Sequence, residues 1–485
     1  MSAIQKLAQI GRQRVQGSSR SHQKESGTKV PPLRMCGQEH SLKRFLVATI
    51  TLCTLSAGST HPQSKLDIST RIRSYLAPFV ATGNLTGTVL VARNGQILFE
   101  RSYGMANYER QIPNSAKTRF HIASVSKPFT AAAILQLQEQ GRLQVSDPIT
   151  IDNLLTHTSG IPDINGLEDY DTFVRSPHTL DQLIARVAGL PLEFQPGSQS
   201  RYSNSNYNLL AIVIERVSGQ SYADYLATHI FAPSGLHDTG HDGNAALIIP
   251  SSASGYEPFE LTGYKKAPYL DWSNKTGNGS LYSTAGDLLR FDRALNSGEI
   301  LSDATRKKYY VAGEENRYGW YFRNLAGHRA MSGKGRSPGF TAELDYFPDD
   351  GVTIIVLSNS YSSVAQDPIA AAIAAIVFGN DPPKPPALSL APLPQSELAS
   401  YAGDYQYGPE YFDPNAKFTL RPHSGSLVLQ ISEIQSPLVS AGHDEFIERR
   451  FFGSIKFTRD AQGKVTGLVT RYGTRNFPAT RLEQK

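Results

Sequence analysis

Ser124 and Lys127 stand three residues apart in the run Ser124-Val125-Ser126-Lys127, at the head of a stretch rich in Ala, Leu and Gln that Gly141 closes. That stretch predicts a helix over 124–140 with a glycine stop. Positions i and i+3 of a helix share a face, so the Ser124 hydroxyl and the Lys127 amine can meet. A serine hydroxyl is a poor nucleophile until a base takes its proton, and an ammonium cannot do so. Lys127 must therefore be buried to lose its charge near neutral pH. A helix start also leaves backbone N–H groups free to face an oxyanion. Pro128 falls in the first turn, where its missing donor costs least.

A second cluster follows a Pro196-Gly197 turn: Tyr202-Ser203-Asn204-Ser205-Asn206-Tyr207, leading into an apolar helix over 209–217. The cluster reads as a loop presenting side chains above a scaffold. Tyr202 can pass a proton between Ser124 and a leaving group, and Asn204 can hydrogen-bond a substrate amide. His237 and His241 have metal-like spacing, but Gly235 and Gly240 argue against a helix there and no carboxylate-histidine pattern completes a site. Neither a metal nor another cofactor is expected.

The elements that must position these groups are readable around them. Two apolar runs, 89–91 and 97–99, flank Asn94-Gly95 and predict a β-hairpin. A second hairpin is expected from 342–347 and 352–357 about Pro348-Asp349-Asp350-Gly351, and a helix over 365–378. Strands at both ends with helices between fit an α+β fold, an antiparallel sheet covered by helices. A Pro-rich linker follows at 381–396, and residues 397–485 carry short alternating strands that suggest a small all-β barrel.

At 485 residues two or three domains are expected. The net charge of +5 is concentrated at the front. Residues 1–60 hold nine basic side chains against Glu25 and Glu39, which leaves 39 basic and 41 acidic residues in 61–485. That balance excludes a nucleic-acid-binding face. Lys43-Arg44, the apolar run 45–57 and the small residues Gly58 and Ser59 describe a secretory signal, with an uncleaved N-terminal anchor as the alternative. Residues 1–60 are thus expected to be a leader and the catalytic body to be exported, periplasmic or extracellular. No stable membrane insertion is expected after cleavage. Both cysteines, Cys36 and Cys53, fall in the leader, so the mature chain has no disulfide or cysteine nucleophile. Met35 offers an alternative start.

Ser124-x-x-Lys127 followed by Tyr202-x-Asn204 resembles the class C β-lactamase, penicillin-binding protein, D-aminopeptidase and esterase group, a peptidase-family-S12-like set. The words FHIASVSKPFTAAAI (120–134), LLTHTSGIP (154–162), FQPGSQSRYSNSNYNLL (194–210), GSLYSTAGDLLRF (279–291) and PGFTAELDYFPDDGVTIIVLSNS (338–360) carry the same resemblance. It implies a β-lactamase/transpeptidase-like domain over 65–380 and an acyl-enzyme at Ser124, with Lys127 and Tyr202 sharing acid and base duty. The C-terminal module resembles the lipocalin-like barrel appended to some relatives, and it is expected to be packed with its own aromatics and able to wall the site.

The third element of the family departs from its pattern. Counting back from Pro338-Gly339-Phe340, Gly333-Lys334-Gly335 falls where relatives carry Lys-Thr-Gly or His-x-Gly, so Gly333 stands in the place of the basic residue. Lys334 would point to the other face of a regular strand, leaving Lys334, Arg336 or His328 to supply the charge. The resemblance assigns the oxyanion hole to the N–H groups of Ser124 and Arg336. Loss of the usual cation favours esters or amides over penicillins. A further departure is the short stretch between Asp147-Pro148 and LLTHTSG. His157 in that word is expected to orient backbone. The substrate is expected to be a small molecule or peptide: a D-amino-acid peptide, a small ester or, less favoured, a β-lactam. A catalytically silent peptide- or muropeptide-binding protein is the competing reading.

Overall fold

The computed structural model describes residues 65–143, 149–310, 316–385, 387–473 and 475–483. The leader with Cys36 and Cys53 lies outside the described residues, as do Asp147 and Pro148; the short stretch that follows them is described and enters a helix, Ile151–Leu155, capped by Thr150.

Helix α1 (Lys65–Ala81) leads into strands β1 (Gly87–Arg93) and β2 (Gln96–Tyr103). Asn94 and Gly95 join them with φ of 49° and 75°, the left-handed pair that a two-residue hairpin requires. Near the end of the domain come β3 (Tyr321–Leu325), β4 (His328–Ser337), β5 (Phe340–Phe347) and β6 (Val352–Ser358). The six strands form one antiparallel sheet in the order β3-β4-β5-β6-β1-β2, so the two expected hairpins meet where β6 pairs with β1.

Both faces of this sheet are covered, which is why β6 is apolar at nearly every position and buried throughout. Strand alternation separates two cores. Val89, Val91, Ile354 and Val356 face α1 and a C-terminal helix, Gln366–Val377. Leu90, Ala92, Ile355 and Leu357 face the helical layer between the hairpins. At the centre of that layer is α2 (Ser126–Glu139), with Ser126 to Leu135 all buried, packed beside α3 (Asn204–Ser218). The Gln366–Val377 helix is α4 hereafter. A helix buried all round needs apolar or small residues on every side, as Ala131-Ala132-Ala133 provide.

Residues 403–481 form a closed eight-stranded antiparallel barrel, its ends sealed where Gly403–Tyr407 pairs with Arg475–Arg481. Closure removes the exposed sheet edge. Tyr401, Tyr405, Tyr407, Phe418, Phe446 and Phe457 fill its interior. The Pro-rich segment is tied to the barrel, with Ser389 N–H donating to Ser440 O at 2.8 Å and Leu393 N–H to Gly425 O at 2.8 Å. One buried guanidinium docks the barrel on the first domain. Arg449 Nε donates to Thr82 O at 3.0 Å, and an Nη donates to Phe259 O at 3.0 Å and Glu260 O at 2.6 Å. Burying that charge is costly, and burial pulls its pKa down to about 10, but carbonyl acceptors compensate. The contact surface includes the α1–β1 loop, the hairpin around 256–266 and the segment 362–364, where Ser363 N–H donates to Arg450 O at 2.8 Å. No residue lining the cleft at Ser124 comes from the barrel, so the expectation that it walls the site is corrected. Among the described residues no helix is long and apolar enough to cross a membrane.

Candidate active site

Ser124 does not begin the α-helix, as the sequence suggested. It sits on a 3₁₀ turn, Ala123–Val125, and α2 starts two residues later. Ala123 has φ of 45°, a left-handed conformation that costs a residue with a Cβ about 1 kcal/mol or more. The cause is β4. Gly335 lies so close that a Cβ there would meet Ile122 O at 2.1 Å and Ser124 N at 3.2 Å. Only glycine lets the strand press against this turn.

Lys127 is buried beneath Ser124. Its Nζ lies 3.1 Å from Ser124 Oγ, 2.9 Å from Asn204 Oδ1 and 2.9 Å from Asn278 O. Burial drives its pKa well below the usual lysine value; Asp163 pulls back upward and Lys275 adds to the lowering. The donor inventory then decides what the amine does. Asn278 O is an acceptor. Asn204 Oδ1 is fixed as one because its Nδ2 donates to the Asp163 carboxylate at 3.2 and 3.3 Å. A neutral amine spends its two N–H groups on these oxygens, and its lone pair is left for the Ser124 hydroxyl proton. That is the geometry of a general base.

Tyr202 OH donates to Ser124 Oγ at 2.8 Å. Burial raises the phenol far above its ordinary pKa, so Tyr202 is a neutral phenol rather than a phenolate. His157 holds it in place. Its ring stacks obliquely on the Tyr202 ring at 4.5 Å, its Nδ1 accepts from Ser203 N–H at 3.2 Å, and its carbonyl accepts from Arg201 N–H at 2.9 Å. Burial keeps this histidine neutral, with a pKa near 3. Asn204 is the first residue of α3 rather than a loop residue, and its N–H donates to Asp163 Oδ1 at 3.0 Å. That carboxylate caps the helix from another segment, favourable at the positive end of the dipole.

Ser124, Tyr202 and Asn204 open on a cleft of about 560 Å³ shared with Lys275, Asn278 and Arg336. The third sequence element forms its other wall. Pairing between β3 and β4 stops at Ser332, so the edge of 333–337 is open along the cleft. Gly333 and Gly335 face inward, towards Trp320 and the Ser124 turn. Lys334 and Arg336 take the opposite face, as alternation required. Lys334 is ion-paired with Asp367 on α4, Arg336 lies 3.7 Å from the same carboxylate, and Arg323 pairs with Glu343. His328 is removed from the candidates: it bonds Asp350 Oδ2 at 2.9 Å and stacks on Phe378 at 3.6 Å, outside the cleft lining.

Three residues of the site were missed. Asp163 directly follows LLTHTSGIP, and Lys275 and Asn278 directly precede GSLYSTAGDLLRF. Their place beside family words was a usable signal, but nothing in their spacing told of a shared cleft.

A family model described as Beta-lactamase matches residues 72–377. The putative penicillin-binding protein PbpX of Bacillus subtilis (strain 168) is 33% identical over 321 residues, covering 62% of this chain and 76% of that protein. Among solved structures, a penicillin binding protein from Bacillus halodurans is 30% identical with a TM-score of 0.56, over 63% of this chain and 98% of that one. D-amino acid amidase from Ochrobactrum anthropi SV3, complexed with D-phenylalanine, shares the fold at 20% identity and a TM-score of 0.57, over 64% of this chain and 99% of that one. The chain therefore belongs to the beta-lactamase family and is a serine hydrolase of that fold, with a β-barrel at its C-terminal end.

Proposed function

We propose that the protein is an exported hydrolase that cleaves an amide or ester through an acyl-enzyme on Ser124. The substrate class we favour is a D-amino-acid peptide or a small ester, with β-lactams less favoured. The observation that carries the reading is the buried amine of Lys127 set 3.1 Å from Ser124 Oγ with both its other partners acceptors.

As Ser124 Oγ attacks the carbonyl carbon, Lys127 takes its proton, and the new ammonium keeps Asn204 Oδ1 and Asn278 O as partners. Carbonyl π electrons move onto the oxygen, which the N–H groups of Ser124 and Arg336 receive. Tyr202 gives its proton to the leaving nitrogen or oxygen as that bond breaks, and is reprotonated from Lys127. Water then attacks the acyl-enzyme by the same route reversed. Export is supported by the basic flank and apolar run at 43–59. Kinship to penicillin-binding proteins by name and the D-amino acid amidase fold support the substrate class.

A fluorophosphonate probe should label the wild-type protein and not Ser124→Ala. Nitrocefin, a D-Ala-D-Ala peptide and short-chain esters, followed by adduct mass on the Ser124 peptide, then separate the substrates. Absence of labelling and of any turnover would instead favour the silent peptide-binding reading.

A further inference from the structure

The cleft has cations on both walls, and they differ in the partners they already hold. On the β4 side, Lys334 and Arg336 share Asp367, and Arg323 is held by Glu343. On the facing side, Lys275 ends a 3₁₀ turn, Trp272–Lys275, and its side chain is buried in the lining of the cleft. Its Nζ donates to Asn165 Oδ1 at 3.1 Å and to the Tyr170 hydroxyl, both neutral groups. Among the described residues no carboxylate forms an ion pair with it. An ammonium has three N–H groups, so one remains for a ligand.

Two neighbours support this. Asn278 is 2% exposed and lines the same cleft, and its Nδ2 finds no acceptor among the described residues. Gly279 places Lys275 beside the nucleophile's turn: a Cβ there would meet Lys275 Cβ at 3.5 Å and Ala123 C at 3.6 Å. A buried cation with no carboxylate in direct contact and a buried amide without an acceptor both call for an anionic oxygen ligand.

We propose that Lys275, with Asn278 Nδ2, binds a carboxylate of the substrate on the cleft wall opposite β4, taking over the recognition that Gly333 cannot perform. The site therefore selects acyl compounds bearing a carboxylate a few bonds from the scissile carbonyl. Burial brings Lys275 down to about 8, so it still carries its proton at neutral pH, and Asp163 nearby favours that form.

The inference rests on the cleft at Ser124 being the hydrolytic site, so the test uses Ser124 itself as its reporter without requiring turnover. Protection of Ser124 from a fluorophosphonate probe is measured with the monoamides of succinic, glutaric and adipic acids and with the corresponding neutral diamides. A charge-assisted bond predicts that the best monoamide protects at about tenfold lower concentration than its diamide, with an optimum at one chain length. In Lys275→Met the two should protect within about twofold of each other. Equal or no protection by acid and diamide in the wild-type protein overturns the proposal, as does an acid preference that survives in Lys275→Met. The wild-type series decides alone if the variant does not fold. Failure of the wild-type protein to react with the probe would instead strike the hydrolase reading.

Discussion

Two lysines flank one cleft in different surroundings. Lys127, at the start of α2, is fully buried and has no carboxylate bonded to it among the described residues, and burial lowers its pKa well below the usual lysine value. Lys334, on β4, is partly enclosed, and Asp367 on α4 ion-pairs with it. The residue type is the same; Lys127 is fully buried and Lys334 less so, and of the two only Lys334 has a carboxylate at bonding distance among the described residues. Asp163 shows the intermediate case. It raises the pKa of Lys127 from a distance, yet it spends its oxygens on Asn204 and the Asn165 N–H. The proposed base thus sits on one wall and an ion-paired lysine on the other.

The strongest way to break this comparison is to remove the base. Lys127→Ala should lower the rate of Ser124 acylation, followed by probe labelling, by about 10³-fold or more, since nucleophile and base act as a unit. Tyr202→Phe keeps the ring against His157 and deletes the proton carrier. Its kcat on an ester or amide substrate should fall by about 10² to 10³-fold, with a smaller loss for a good leaving group that needs no proton. Gly335→Ala tests the wall itself. The added carbon collides with Ile122 O, so the Ser124 turn must shift, and kcat/KM should fall by about 10²-fold while the fold melts as one unit. The smallest effect is expected at the inert lysine's partner. Asp367→Asn should change kcat/KM by less than about threefold and cost about 1 to 3 kcal/mol of stability in a denaturant titration, because Lys334 and Arg336 lose their shared counter-charge. A loss of activity there as large as that of Lys127→Ala would erase the distinction between the two walls.

The parts of this design visible in the chain were those encoded locally. Ser124 and Lys127 lie one turn apart, and any helical or 3₁₀ path brings them together. Asn94-Gly95 specified its hairpin because both residues tolerate positive φ. Strand alternation set Lys334 on the face opposite Gly333 and Gly335, although its side chain still lines the cleft. The rest depended on contacts across long sequence separations. The two-residue delay in the start of α2 comes from Gly335 pressing on Ile122, more than two hundred positions away. Asp367 belongs to a helix that reads as plain apolar packing, and nothing near it names Lys334 as partner. Lys275 sits in a word, Trp272-Ser273-Asn274-Lys275, with the look of a surface turn. The barrel's docking by Arg449 was equally hidden, since an arginine among charged neighbours reads as solvated.

The ionisation of Lys127 is the centre of this account, and the pH dependence of Ser124 acylation reports it. A general base works only when deprotonated, so the rate should rise with pH through the Lys127 pKa and then level off. The account predicts a midpoint well below the ordinary lysine value of 10.5. A rate that climbs steadily through neutrality to a midpoint near 10.5 would show Lys127 as an ordinary ammonium and contradict the mechanism.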